Sequence, residues 1–176
     1  MTQPTLSING IDVQRSKAVQ DSIRADGDGA IARPQYRAVI DWQSGYETVA
    51  TVGGGQSVRG DEPVAYGGKA HGLSPQDLLL TAVGNCVAAT FVGGLSSKGI
   101  EVYSLRISVA GRVDFRVAYG IAAGAPGFEA IEVAVDIATS GEREQVERLL
   151  RQLYPTAPIP DTILRPVPVQ LSLEIQ

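Results

Sequence analysis

The sequence predicts an α+β protein with a largely antiparallel sheet and two main helices. Three observations lead to this fold class. Long segments alternate apolar and polar residues as strands do, one helical segment is apolar almost all round, and a later helical segment is clearly amphipathic. The order is strands, apolar helix, strands, amphipathic helix and a last strand, which is typical of helices that cover one side of a sheet.

The alternation predicts six strands in all. The first runs from Tyr36 to Trp42, and the turn QSGY joins it to ETVATV as a hairpin. A short strand lies around Val58, within a glycine-rich loop that has no phosphate-binding motif. EVYSLRISVAGRV and EAIEVAVDIAT are two long strands with a turn near AGAPGF, and VPVQLSLEI predicts a final strand.

Helix signals divide the chain in three places. Residues 10–26 predict a short amphipathic helix that ends at DGDG. A second helix begins after Ser74, which is a suitable N-cap because proline and an acid follow in the first turn, and it runs to about Lys98 with Gly99 as its stop. We expect Ser140 to cap the third helix, whose apolar positions are Val146, Leu149, Leu150 and Leu153.

The helix from 75 to 98 raises the question of what covers it. Between Asp77 and Lys98 lie 20 uncharged residues, about the length that spans a bilayer. Asn85, several small polar residues and the absence of an aromatic belt favour a buried helix of a soluble protein instead. One sheet and one amphipathic helix cover only part of its surface, so we infer a homodimer with this helix at its centre.

Composition excludes several classes of protein. A net charge of −4 leaves no basic surface for nucleic acid. With one cysteine and one histidine, the chain cannot form an internal disulfide, and we expect no metal site and no cofactor. The start MTQPTLSING lacks the basic and apolar regions of a secretory leader, so we expect a cytoplasmic protein without a membrane partner.

Several stretches together resemble the OsmC/Ohr family of thiol proteins. They are DEPVAYGGKAHGLSPQDLLLTAVGNCVAATF, SKGIEVYSLRISVAGRVD, PGFEAIEVAVDI and TAPIPDTILRPVPV. The most specific feature is a helical cysteine eleven residues after the helix-opening proline, here Cys86 and Pro75. The resemblance implies a single OsmC-like domain over 1–176, with 1–33 as an N-terminal extension and 34–176 as the core, and an intertwined homodimer with active sites at the subunit interface.

The resemblance also implies a reaction. In the hydroperoxide-reducing members, the helical cysteine attacks the peroxide, an arginine in the N-terminal hairpin and a glutamate after the proline support it, and a second cysteine resolves the sulfenic acid. Here only Cys86 matches clearly. Tyr46 stands near the arginine position, Gln76 takes the glutamate position with Asp77 beside it, and Ala157-Pro158-Ile159 replaces the Cys-Pro-Val stretch.

Two hypotheses therefore remain for Cys86. Taken alone, a cysteine among apolar residues of a helix is typical of core packing, and reactivity needs a nearby cation. Candidates for that cation are Arg37, Arg59, Lys69 and His71, and we take Tyr46, Arg59 and His71 as candidate substrate-binding residues.

The first hypothesis is a peroxidase for organic hydroperoxides in oxidative-stress defence, with Cys86 as nucleophile, Asp77 and Gln76 as weaker catalytic candidates, and an external thiol as reductant. The second is an inactive dimer of the same fold that binds a small apolar ligand. The retained Cys86 favours the first hypothesis, and the three replaced positions favour the second.

Overall fold

A computed structural model describes residues 7–175 of the chain. The first six residues, which belong to the segment considered as a leader, lie outside the described residues. The chain forms two compact units, Met1–Thr81 and Ala82–Gln176.

The first unit contains an N-terminal helix and a three-stranded sheet. A two-residue ladder of β1 (Ser7–Ile8) and β2 (Ile11–Asp12) leads into α1 (Val13–Asp26), whose first turn is capped by the Asp12 carboxylate. The antiparallel sheet has the order β3-β4-β5, formed by Ala38–Ser44, Glu47–Val52 and Ser57–Gly60. The hairpin and the short strand predicted around Val58 are thus confirmed.

The apolar helix α2 spans Pro75–Ser97 and ends as its sequence predicts. Gly99 takes a φ of 74°, a left-handed conformation that glycine adopts without strain, and its amide donates to the Ser96 carbonyl. Val83, Val87, Phe91 and Leu95 recur every four residues and are buried, which defines one covered face of the helix. By length and hydropathy α2 could also cross a membrane, and 22% of its most apolar stretch is buried within the chain.

The second unit is built on a long hairpin. β6 (Val102–Val113) pairs antiparallel with β7 (Phe128–Thr139), and apolar residues stand opposite one another at Ile107 with Val135 and at Val109 with Val133. Gly84 of α2 lies against β6, where an added Cβ would come 3.2 Å from Val109 Cγ2. This close approach makes the strand pair the cover of one side of the helix.

The amphipathic helix α4 (Arg143–Leu153) completes the core of the second unit. Leu95, Ile100 and Val146 form the buried cluster, and half-buried side chains pack around it from β6, β7 and α4, namely Val102, Ile137, Leu149 and Leu150. Gly94 lets the end of α4 approach α2, since a Cβ at this position would overlap the Leu153 side chain. The predicted apolar stripe of α4 is confirmed.

Three details differ from the sequence predictions. Ser140 does not cap α4, because Glu142 is the N-cap and the Ser140 hydroxyl instead accepts from the Glu101 amide. Two short helices were not predicted, α3 (Phe115–Ala118) in the β6–β7 connection and α5 (Pro158–Leu164) after α4. Proline at the first position of α5 and the Asp114 carboxylate on the Arg116 amide are the local causes.

The predicted C-terminal strand is wrong for the single chain. Residues 166–175 form no strand, because a strand requires a hydrogen-bonded neighbour and no described strand of this chain pairs with them. The alternating apolar side chains of this segment are instead exposed: Val169 by 95%, Leu171 by 83%, Leu173 by 73% and Ile175 by 90%.

Candidate functional site

Cys86 is a free thiol in the middle of α2, and its side chain is half-buried. Its neighbours Val83 and Val87 are buried, with 2% and 0% exposure, so the thiol lies at the border of the covered face. Thr90 bonds its hydroxyl to the Cys86 carbonyl at 2.8 Å, a local helical bond that leaves the sulfur unaffected. Cys86 is therefore neither fully enclosed in the core nor fully exposed.

The segment Ala157-Pro158-Ile159 lies against this thiol. The backbone N–H of Ile159 donates to Cys86 Sγ at 3.4 Å, although 73 residues separate the two in sequence. Ala157 is completely buried, and Pro158 begins α5. Because the first amides of a helix have no acceptor within it, the Ile159 N–H is free to meet the sulfur.

No cation is bonded to Cys86 within the described part of the second unit. The ion pairs that this unit contains are local: Arg116 with Asp114, Arg151 with Glu147, and Arg165 with Asp161.

Asp77 and Gln76 lie in the first turn of α2, where Asp77 completes the cap. The Asp77 amide donates to Ser74 Oγ at 3.1 Å, and the Ser74 amide and hydroxyl donate to Asp77 Oδ2 at 3.2 and 2.6 Å. This reciprocal arrangement is a capping box in which aspartate takes the place of glutamate. The carboxylate is thus occupied at the helix terminus, as expected of an acid that begins a helix, and Gln76 is half-buried beside it.

The other candidates belong to the first unit, and one of them joins a charged cluster. His71 Nδ1 lies 3.5 Å from Glu47 Oε1, and Lys69 Nζ lies 2.5 Å from the same oxygen. Tyr46, next to Glu47 in the hairpin, is 55% exposed. Arg59 lies on β5, where its carbonyl accepts from the Leu73 amide and its side chain is exposed.

Asp61 organises the loop that carries Lys69 and His71. Its side chain is 3% exposed and accepts from three backbone amides: Glu62 at 2.8 Å, His71 at 3.0 Å and Lys69 at 3.1 Å. These bonds, that of His71 first, lower the pKa of Asp61. The Lys69 ammonium likewise lowers the pKa of Glu47, and Glu47 raises the pKa of Lys69.

Glu47, Asp61 and His71 are also the one group that could hold a metal ion among the described residues, with their ligand atoms within 4.8 Å of one another. The Lys69 ammonium already provides a positive charge to Glu47, and Asp61 is bonded to backbone amides. The contacts that are present make this cluster a support of the loop before α2.

Sequence reasoning missed three of these groups. The Ile159 amide was missed because a backbone group carries no sequence signal, although the resemblance had pointed to its segment, Ala157-Pro158-Ile159, as the place of the second cysteine. Glu47 and Asp61 were missed because acids in a loop are common on protein surfaces. The only sign that Glu47 and Asp61 lie close together is the pairing of β4 with β5. Thr48, the residue after Glu47, pairs with Gly60, the residue before Asp61.

A groove in the second unit lies between α4 and β7. Its volume is about 1070 Å³, and its lining includes apolar side chains of α2, β7 and α4, among them Phe91, Val135 and Leu150. The charged residues Arg143 and Arg151 also line it. Cys86 does not line it, so the groove and the thiol are separate features.

Both the sequence and the fold are similar to those of known proteins. The model of the OsmC-like protein family matches residues 67–172. No curated protein matches the chain significantly. The OsmC-like protein of Mycoplasma pneumoniae is similar in structure, with a TM-score of 0.64 and 17% identity over 75% of this chain and 89% of that one.

Two solved structures with descriptive names have the same fold. The organic hydroperoxide resistance protein OsmC of Legionella pneumophila gives a TM-score of 0.54 at 15% identity, over 74% of this chain and 91% of that one. A putative organic hydroperoxide resistance protein of Vibrio cholerae, with captopril in one of its active sites, gives 0.54 at 16% identity, over 73% and 84%. The family match covers more than half of the sequence, and the mixed helix and antiparallel sheet architecture agrees with these structures: the chain belongs to the OsmC-like protein family.

Proposed function

We propose that this chain is a thiol-dependent peroxidase that reduces organic hydroperoxides in oxidative-stress defence, with Cys86 as its nucleophile. The main support for the proposal is the 3.4 Å contact between Cys86 Sγ and the Ile159 amide nitrogen. It brings to the thiol the segment that resembles the place of the second cysteine in hydroperoxide-reducing members. Family membership and the names of the Legionella and Vibrio structures support the same reaction.

The chemistry needs only the thiol and an external reductant. The Cys86 thiolate attacks one peroxide oxygen, the O–O bond breaks, and the departing alkoxide takes a proton to become an alcohol, leaving a sulfenic acid on Cys86. Ala157 provides no thiol, so an external thiol attacks the sulfenic sulfur, releases water and forms a mixed disulfide. A second external thiol then releases Cys86 by exchange. We propose a cytoplasmic site of action, where thiol reductants are available.

We further propose that the working form is a homodimer. Most of α2 is not covered within one chain, the groove beside α4 is lined in part by apolar side chains, and the apolar residues of 166–175 are exposed. A second copy that fills the groove and pairs with the C-terminal segment would remove these surfaces from water together. We propose Tyr46, Arg59 and His71 as substrate-binding groups.

The experiment measures alcohol formed from cumene hydroperoxide by purified protein without and then with an external dithiol. We expect about one alcohol per chain without the thiol and continuous formation with it, because Cys86 is the chain's only thiol. Cys86→Ala should form none. If wild-type protein binds the hydroperoxide but leaves it intact, the alternative, an OsmC-fold dimer that binds an apolar ligand without turnover, is correct.

A further inference from the structure

The position of Ile159 matters beyond packing, because its N–H points at the sulfur that the proposed reaction oxidises. Within residues 7–175 the acceptor that this N–H meets is Cys86 Sγ, and the preceding residue, Pro158, has no N–H. The neighbouring side chain, Ala157, is buried and carries no thiol. The nearest partner for an oxidised Cys86 in this segment is therefore a backbone nitrogen.

Sulfenic acids have two known intramolecular fates of this kind, condensation with a thiol to a disulfide and condensation with a backbone nitrogen to a sulfenamide. A chain without a second cysteine retains only the second. In this chain the approach of such a nitrogen exists before oxidation, at 3.4 Å.

We propose that oxidised Cys86 is resolved by the Ile159 amide, which forms a reversible sulfenamide between α2 and α5. This inference rests on the proposed peroxidase function, which supplies the oxidant. The Ile159 nitrogen attacks the sulfenic sulfur, the S–O bond breaks, and the hydroxyl leaves with the amide proton as water. The product is a Cys86 Sγ–Ile159 N bond, and no further oxidant is needed.

The sulfenamide returns to the thiol by the same external reductant. A thiol attacks Cys86 Sγ, the S–N bond breaks, and the nitrogen regains its proton, which leaves a mixed disulfide. A second thiol exchanges with it, releases the disulfide of the reductant and restores Cys86. While the S–N bond exists, the sulfur cannot be oxidised to the irreversible sulfinic acid. The amide therefore protects the sulfur as a second cysteine would.

The test treats the full-length protein with one equivalent of cumene hydroperoxide in the absence of thiols. We expect one alcohol per chain and an intact mass that corresponds to one oxygen gained and one water lost. Peptide mapping should link the Cys86 peptide to the Ile159 peptide, and added dithiol should restore the original mass.

Two variants provide the control. Ile159→Pro removes the N–H, so it should lose the dehydrated species and retain sulfenic acid, which a second equivalent of hydroperoxide should oxidise to sulfinic acid. Ile159→Val keeps the N–H and should retain the dehydrated species. Mapping of the wild-type protein keeps the test valid if the proline variant does not fold. Full alcohol formation with only sulfenic or sulfinic acid at Cys86 would overturn the sulfenamide and leave the peroxidase intact. No alcohol and an unchanged Cys86 would overturn both.

Discussion

Among single residues, the proposed reactivity of Cys86 depends on the groups that lie beside its sulfur. The Ile159 amide contact and the complete burial of Ala157 indicate that the Ala157–Ile159 segment is held against α2 rather than passing it loosely. The same segment carries alanine at the position where the resemblance implies a second, resolving cysteine.

Restoring that thiol is the first prediction. Ala157→Cys should form a disulfide with Cys86 within one chain on mild oxidation, because Ile159, two residues further along the same segment, already contacts the sulfur. Such a bond requires Cα atoms about 4.4–6.8 Å apart. Non-reducing peptide mapping measures the bond. Thr156→Cys, at the exposed neighbouring position, serves as the matched control and should remain free. Two free thiols in folded Ala157→Cys would show that the segment is placed wrongly.

Asp61 gives a prediction about pH. Three backbone amides lower its folded pKa below the ordinary 3.8, so the folded state binds its proton more weakly than the unfolded state does. The stabilisation from Asp61 is complete above about pH 4 to 5 and is lost as pH falls below 3.8 towards the folded pKa. We expect the Lys69 and His71 amides to exchange faster with deuterium as the pH falls below 3.8, after correction for the intrinsic exchange rate.

The control for this prediction is chemical. Asp61→Asn should remove most of the protection at neutral pH and flatten its acid dependence, while Glu62→Gln, at the adjacent acid, should leave both as in the wild type. Protection of the Lys69 and His71 amides that does not change between about pH 5 and about pH 2 would contradict the assigned role of Asp61.

Among the helices and strands, sequence patterns predicted those features that depend on neighbouring residues in the chain. The hairpin of β3 and β4, the strands β6 and β7 and the ends of α2 follow from alternation, a capping serine and a stop at Gly99. Ser140 was assigned wrongly because a serine before a helix is a common cap, yet here the β6 backbone at Glu101 binds its hydroxyl. The Cys86–Ile159 contact was beyond any local pattern, since tertiary packing alone brings these residues together.

The cap of α2 separates a structural role of Asp77 from a catalytic one. Ser74→Ala should lower the free energy of unfolding by about 0.5–2 kcal/mol, the usual cost of losing such a cap, and Asp77→Asn should be destabilising by a comparable or smaller amount. Chemical denaturation measures both. Because the carboxylate bonds Ser74, folded Asp77→Asn should still form alcohol from hydroperoxide. Normal stability with abolished alcohol formation would make Asp77 a catalytic residue instead.

For the molecule as a whole, the exposed apolar residues of the C-terminal segment are the feature that a partner would cover. The C-terminal alternation in VPVQLSLEI was interpreted as a strand, and the single chain offers it no neighbour. The strand prediction is therefore wrong for the single chain. The sequence favoured a dimer for another reason, the apolar surface of the helix from 75 to 98 that one chain does not cover, and that prediction is not tested by a single chain.

We expect sedimentation velocity at micromolar concentration to show a folded dimer. Leu171→Asp should weaken it, because a charge would enter the apolar side of the segment, while Ser172→Asp, one residue further and on the opposite side of an extended strand, should leave it unchanged. A folded wild-type monomer at this concentration would remove the dimer and any site completed by a second copy.

Intact-mass spectrometry of the folded protein tests the proposed reaction of Cys86 with a hydroperoxide. The protein is mixed with one equivalent of cumene hydroperoxide and an excess of a carbon nucleophile that traps sulfenic acids, and the product is digested and mapped. We predict rapid loss of the free thiol, with the trap or the Ile159 crosslink located at Cys86. A Cys86 that remains a free thiol in folded protein, even in excess hydroperoxide, would contradict the account.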